Sequence, residues 1–165
     1  MTDLQPRYER DHDRAVQDTV YEFLRLKART INGRRVELSQ TVVGATVDYV
    51  WTLNGRVYAT GELKRRNIAH DAFTSLMVSA SKITELQRMA KFGYLMVLYT
   101  DGLYVKRVQR GETYQTGMGG RTTQSRDPVD AAGETCVYLP IDEMRIMTGW
   151  TDWWTARAWE AAAIK

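Results

Sequence analysis

The sequence predicts a mixed α/β domain in which helices cover a β-sheet. Three observations carry that expectation. Apolar residues recur at helical spacing in two places, stretches between and after them are strand-like and in part alternate with period two, and Asn-Gly and Asp-Gly pairs stand where strands reverse. The chain has 165 residues, 44% hydrophobic and 26% charged, enough for one sizeable core and too few for two comfortable domains. A single domain over residues 1–165 is therefore expected.

The first element spans about Asp13 to Ile31. Val16, Val20, Phe23, Leu24 and Ile31 fall on one helical face, with Arg7, Arg10, Arg14, Asp18 and Arg25 opposite. Asn32-Gly33 is the expected helix stop. Arg35 to Leu38 is short and ambiguous. Thr41 to Leu53, rich in Val, Thr, Tyr and Trp, and Arg56 to Lys64 are strands, joined by a hairpin turn at Asn54-Gly55. Ser79 to Phe92 returns to helical spacing through Ile83, Leu86, Met89 and Ala90, closed by Gly93. Tyr94 to Tyr99 and Leu103 to Val108 pair through Asp101-Gly102. Gly111 to Asp127, rich in Gly, Thr, Gln, Ser and Arg, is expected as a mobile loop. Val137 to Ile141 is expected as an edge strand. A helical tail over 142–165 follows, carrying Trp150, Trp153, Trp154 and Trp159.

Composition excludes several classes. No apolar run approaches the roughly 20 residues of a membrane span. The N-terminus has acid and proline where a signal peptide needs a basic and then apolar start, so a cytoplasmic protein is expected. One cysteine, Cys136, leaves no disulfide framework and no cysteine-rich zinc site. A formal charge of +3 permits a polyanionic partner without requiring one.

The chemistry concentrates in the hairpin. Glu62 and Lys64 are two apart in a strand and so share a face, while Leu63 points to the core. Asp48 lies in the preceding strand between Val47 and Tyr49. Acids and lysine in mid-strand call for a reward. Register decides whether these groups meet. A plain two-residue Asn54-Gly55 loop pairs Asp48 with Gly61 and puts Asp48 and Glu62 on opposite faces. A three-residue loop bulged at Gly55 pairs Asp48 with Thr60 and makes Asp48 and Glu62 diagonal neighbours, about 7–8 Å apart at the backbone. Two carboxylates converging on one face suit a hard divalent cation such as Mg²⁺, and a nearby ammonium suits the orientation of water or the charge of a transition state.

Asp48, thirteen residues, then Glu62-Leu63-Lys64 resembles the signature of the PD-(D/E)XK nuclease superfamily, which includes restriction enzymes, archaeal-type Holliday junction resolvases and small phage nucleases. Val47 replaces the proline that often precedes the aspartate. The resemblance covers about residues 13–108 and implies a restriction-endonuclease-like αβββαβ core. It implies a Mg²⁺ or Mn²⁺ cofactor held by Asp48, Glu62 and the Leu63 carbonyl, with Lys64 assisting the attacking water. In this group a helical acid often completes the site. Asp13, on the face of Val16 and Val20, is the first choice, with Glu22 and Glu9 as alternatives. Ser79 and Lys82 resemble a Ser-x-x-Lys of small phage members and suit a phosphate, or else form an N-cap with a solvated lysine.

Lys64-Arg65-Arg66 is either a DNA-facing rim or a solvated strand end, and Arg107, Arg110, Arg121 and Arg126 border the expected loop. His12 and His70 lack metal-ligand spacing and are expected at the surface. Cys136 is expected as a packed thiol. The tail tryptophans are expected at a homodimer interface. The function implied is a metal-dependent DNA endonuclease, structure-selective in phage recombination or repair. The alternative is a catalytically silent relative that binds DNA or a protein partner.

Overall fold

The computed structural model describes residues 11–27, 30–31, 33–42, 45–119 and 134–163. The first helix, α1 (Asp11–Leu26), ends earlier than the apolar pattern suggests. Ile31 belongs instead to a small hairpin, β1 (Thr30–Ile31) against β2 (Arg34–Arg35). Gly33, at φ 74°, supplies its turn rather than a helix stop. Then follow β3 (Glu37–Gln40), β4 (Tyr49–Leu53), β5 (Arg56–Arg65), β6 (Ser75–Ser79), α2 (Ala80–Met89), β7 (Phe92–Tyr99) and β8 (Gly102–Val108). The chain closes with β9 (Gln115–Gly119), β10 (Glu134–Pro140), a 3₁₀ turn, β11 (Arg145–Ile146) and α3 (Trp150–Ala163).

Six strands form a mixed sheet in the order β11-β8-β7-β5-β4-β3. Only the β5–β7 pair is parallel, as expected for strands joined through a crossover helix, here α2. The architecture is a mixed sheet flanked by helices, consistent with a restriction-endonuclease-like fold.

Each sheet face has its own core. On one, Val20, Phe23 and Leu24 of α1 and Trp150 of α3 pack on Tyr49, Leu63, Met96 and Leu103. On the other, Ile83 and Leu86 of α2 meet Leu95, Val97 and Val108, together with Leu76, Val78, Val137 and Leu139 from a second sheet, β6-β10-β9. Full burial of each large apolar side chain contributes about 1.5–3 kcal/mol.

Three expectations are corrected by this second sheet. β6 was not foreseen, although Leu76 and Val78 alternate inward. Val137 to Ile141 is not an edge strand, because β10 lies between β6 and β9. The segment expected as a loop contains β9, whose Gly117 makes room for the Tyr138 ring across the pair, where an added Cβ would come within 2.9 Å. Residues 120–133 of that segment, with Arg121 and Arg126, lie outside the described residues.

The tail is a docked helix. Trp150 is 5% exposed and meets Phe23 edge-on at 5.2 Å, and Trp153 packs on the same ring at 5.5 Å. Those two rings are therefore spent within the chain rather than on a partner copy. Trp154 is 47% exposed, and the side chain of Trp159 lies outside the described residues.

Candidate active site

The site begins with the β4–β5 hairpin. Asn54 at φ 53° and Gly55 at φ 72° form a two-residue turn, pairing Leu53 with Arg56 and Thr52 with Val57. The register then shifts, so that Trp51 faces Ala59 and Tyr49 faces Gly61. The hairpin is bulged, but beside Tyr58 rather than at Gly55. Asp48 directly precedes β4, and its N–H donates to the carbonyl of Gly61, the neighbour of Glu62, at 2.9 Å. Two readings are thereby corrected: the loop has two residues, and Thr60 pairs with Val50 rather than with Asp48. Asp48 and Glu62 are nonetheless close enough for the charge of one to act on the other.

Tertiary packing holds the bulge. The Trp51 ring lies over Gly61, where a Cβ would come within 2.8 Å, and Tyr58 meets Phe92 edge-on at 5.2 Å. Glu62 is 4% exposed, while Asp48, Lys64 and Lys82 are half-buried. Lys64 Nζ donates to Glu62 Oε1 at 2.7 Å, and Lys82 Nζ lies 3.6 Å from the same oxygen. Lys82 also donates to the Thr46 carbonyl at 2.8 Å. Close packing of α2 brings it there: a Cβ on Gly93 would stand 2.5 Å from the Leu86 carbonyl, so only glycine lets the helix approach β7 this closely.

Asp48 Oδ2 accepts the Leu63 N–H at 2.7 Å, and Oδ1 accepts Gln17 Nε2 at 3.1 Å. Gln17 is itself anchored, because buried Tyr49 donates its hydroxyl to the Gln17 carbonyl at 2.8 Å. Burial first, and then the charge of Glu62, push the Asp48 carboxyl up to about 6, against the opposing pull of the Leu63 N–H, Lys64 and Lys82. The Leu63 carbonyl leaves β5 on the same side as its N–H, beyond the end of β4. Two carboxylates and a carbonyl at one corner form an all-oxygen donor set of the kind that hard divalent cations take. A cation there would counter both causes of the raised Asp48 pKa by favouring the ionised carboxylate.

With this geometry in view, comparison with known families gives one match: the family described as "Phage putative PDDEXK endonuclease" fits residues 3–147. The chain belongs to this phage PDDEXK endonuclease family. No curated protein and no solved structure matches it. Family membership makes the chain one of the nucleases, and among the described residues no helix is long and apolar enough to cross a membrane.

Within this endonuclease fold the expected residues fare unevenly. Asp48, Glu62, Leu63, Lys64 and Lys82 come together at one corner. Ser79 precedes α2, but its hydroxyl pairs with Ser81 Oγ at 2.9 Å and makes no side-chain cap. Arg65 ends β5 and Arg66 follows it, donating to the carbonyls of Arg65 at 3.1 Å and Met77 at 3.4 Å. Glu22 is exposed, Glu9 lies outside the described residues, and Asp13 is in α1 with its side chain outside them. The helical side chain that reaches Asp48 is Gln17, one turn after Asp13 on the same helix face.

His70 is less isolated than expected. Its ring Nδ1 lies 2.6 Å from Asp101 Oδ2 and stacks on Tyr104 at 4.3 Å, and with Asp71 these residues place three potential ligand atoms within 4.8 Å of one another. Asp71 and Asp101 are exposed, and the His70 N–H is also held by Asp101 at 3.0 Å, a set of bonds that ties the β5–β6 loop to the β7–β8 turn.

Proposed function

We propose that the chain is a metal-dependent DNA endonuclease that hydrolyses phosphodiester bonds. The observation that supports this most is the gathering of Asp48, which accepts the Leu63 N–H, and of Glu62 at the open end of the hairpin, with Lys64 bonded to the second acid. In this reading Asp48, Glu62 and the Leu63 carbonyl hold Mg²⁺ or Mn²⁺. When bound, such an ion supplies Lewis-acid stabilisation of charge developing on the phosphate.

The chain's own residues divide the remaining work. Lys64 orients the attacking water and stabilises charge as the phosphate is attacked. Lys82, anchored on the Thr46 carbonyl, presents an ammonium to a neighbouring phosphate oxygen. Ser79, Arg65 and Arg66 extend the cationic and polar rim along the DNA backbone. Gln17 holds Asp48 in the orientation the cation needs. Asp13, four residues before Gln17 in the sequence, is the acid proposed to join them. The substrate proposed is branched or junction DNA, cut in phage recombination or repair in the host cytoplasm.

A second reading is favoured by Gln17 standing where an acid was expected: a catalytically silent relative that binds DNA or a protein partner. Labelled duplex, flap, four-way junction and single-stranded DNA, each with Mg²⁺, Mn²⁺ or EDTA, separate the two. Metal-dependent cutting by the wild type that is lost in Lys64→Ala supports the nuclease, and the preferred substrate defines its selectivity. Binding without cutting under every condition supports the silent relative.

A further inference from the structure

Around the rim of the sheet from Lys64 lies a cavity of about 500 Å³, between the end of β5, the end of β7, α1 and α3. Arg65 and Arg66 line one side, Val16 and Leu98 form apolar walls with Thr19 and Asp101 beside them, and Trp154 stands at another side. Such a volume lies within the roughly 300–1,000 Å³ of sites that enclose small organic groups. Trp154 stacks on Trp150 at 6.0 Å with planes only 7° apart, and remains 47% exposed. Trp150 is in turn fixed against Phe23. A flat ring is thus held at a fixed angle beside two guanidinium-bearing residues. α3 lies beyond residues 3–147, so this wall is an addition to the part of the chain that matches the family.

From these features, and resting on the DNA reading above, we infer that this cavity binds one unpaired nucleotide of the DNA substrate. Its base stacks on Trp154 and its phosphate meets Arg65 and Arg66. Bases inside a duplex have both faces covered by their neighbours, so only an unpaired base offers a free face to an aromatic ring. Arg65 and Arg66 suit a phosphate and the apolar walls suit a base, while the carboxylate of Asp101, which also lines the cavity, is engaged by His70 at 2.6 Å. The cavity accordingly selects DNA whose strand loses its pairing next to the cut, such as the base of a flap or the end of a junction arm.

The test uses the full chain carrying Lys64→Ala, which separates binding from cutting. Its affinity is measured for a blunt duplex, for the same duplex with a short single-stranded extension, and for an extension of abasic nucleotides. The first unpaired base is 2-aminopurine, so that stacking is read as quenching. The expected result is a preference for the extended duplex on the order of tenfold, lost with the abasic extension and accompanied by quenching. Trp154→Ala abolishes both preference and quenching, Trp154→Phe restores them, and Thr19→Phe, which fills the cavity while leaving Trp154 in place, also abolishes them. An unchanged preference and quench in both Trp154→Ala and Thr19→Phe overturns the inference. So does a Trp154→Ala protein altered only from dimer to monomer in sedimentation, which would make Trp154 a contact between copies. A wild type that cuts without this preference defeats the inference alone. A wild type that keeps the preference but never cuts defeats the nuclease reading alone.

Discussion

Two charged clusters sit on the same face of the central sheet, in one row, on either side of fully buried Leu95. On β5, Glu62 is paired with Leu95, and on β8, Lys106 is paired with Leu95. The Lys106 cluster is closed. Its ammonium, 7% exposed as a residue, lies 2.8 Å from Glu143 and 3.1 Å from Glu112. Burial works against its charge, but the hydrogen bonds it donates to the two acids outweigh that and hold the Lys106 pKa above its usual value. Glu112 is likewise held below the usual carboxylate range. Burial opposes its charge, and hydrogen bonding, including that of the Gln109 N–H and Lys106, more than reverses this.

The Glu62 cluster behaves oppositely. Burial and the neighbouring carboxylate push Asp48 upward, despite two nearby ammonium groups. One set of charges satisfies itself, whereas Asp48 in the other is left with its ionisation disfavoured. That difference is what sets the proposed cation site apart from a structural ion network.

The largest effect should come from Lys64→Ala. Removing a group that stabilises transition-state charge costs roughly 10²–10³-fold in rate, read as single-turnover cutting of labelled DNA with Mg²⁺. Lys106→Met should leave cutting by the folded protein near wild type but lower stability by about 1 kcal/mol in urea unfolding, because two part-exposed acids lose their partner. A Lys106→Met protein that is stable but inactive would collapse the distinction between the clusters.

Asp48→Asn should do the reverse, losing activity while gaining stability in metal-free buffer. A carboxyl raised from 3.8 to about 6 favours the proton in the folded state, so its ionisation costs stability as pH rises through that interval. The gain at pH 8 should be on the order of 2 kcal/mol and should shrink towards pH 5, where wild-type Asp48 is itself largely protonated. Thermal unfolding at the two pH values reads this directly. Gln17→Ala, which removes only the amide that steadies Asp48, should weaken Mn²⁺ binding by about tenfold in calorimetry.

Much of this was legible in the sequence, and the failures have physical causes. The helix faces, the Asn54-Gly55 and Asp101-Gly102 turns and the set Asp48, Glu62 and Lys64 follow from local pattern. The register did not, because the bulge beside Tyr58 depends on Trp51 covering Gly61 and on Tyr58 meeting Phe92, contacts between strands. β9 was hidden because its glycines look like a loop until Tyr138 occupies the space they leave. Gln17 escaped because the search was for charge. Its signal was only position, four residues after Asp13 and three before fully buried Val20.

The most direct test of the central claim is calorimetric titration of Mn²⁺ into the wild type and into Glu62→Gln between pH 5 and 8. The expected result is one site whose affinity rises about tenfold per pH unit below about 6, levels above it, and is lost in Glu62→Gln. Equal Mn²⁺ affinity in the two proteins, or none in the wild type at pH 8, would contradict the assignment of Asp48 and Glu62 as the cation site.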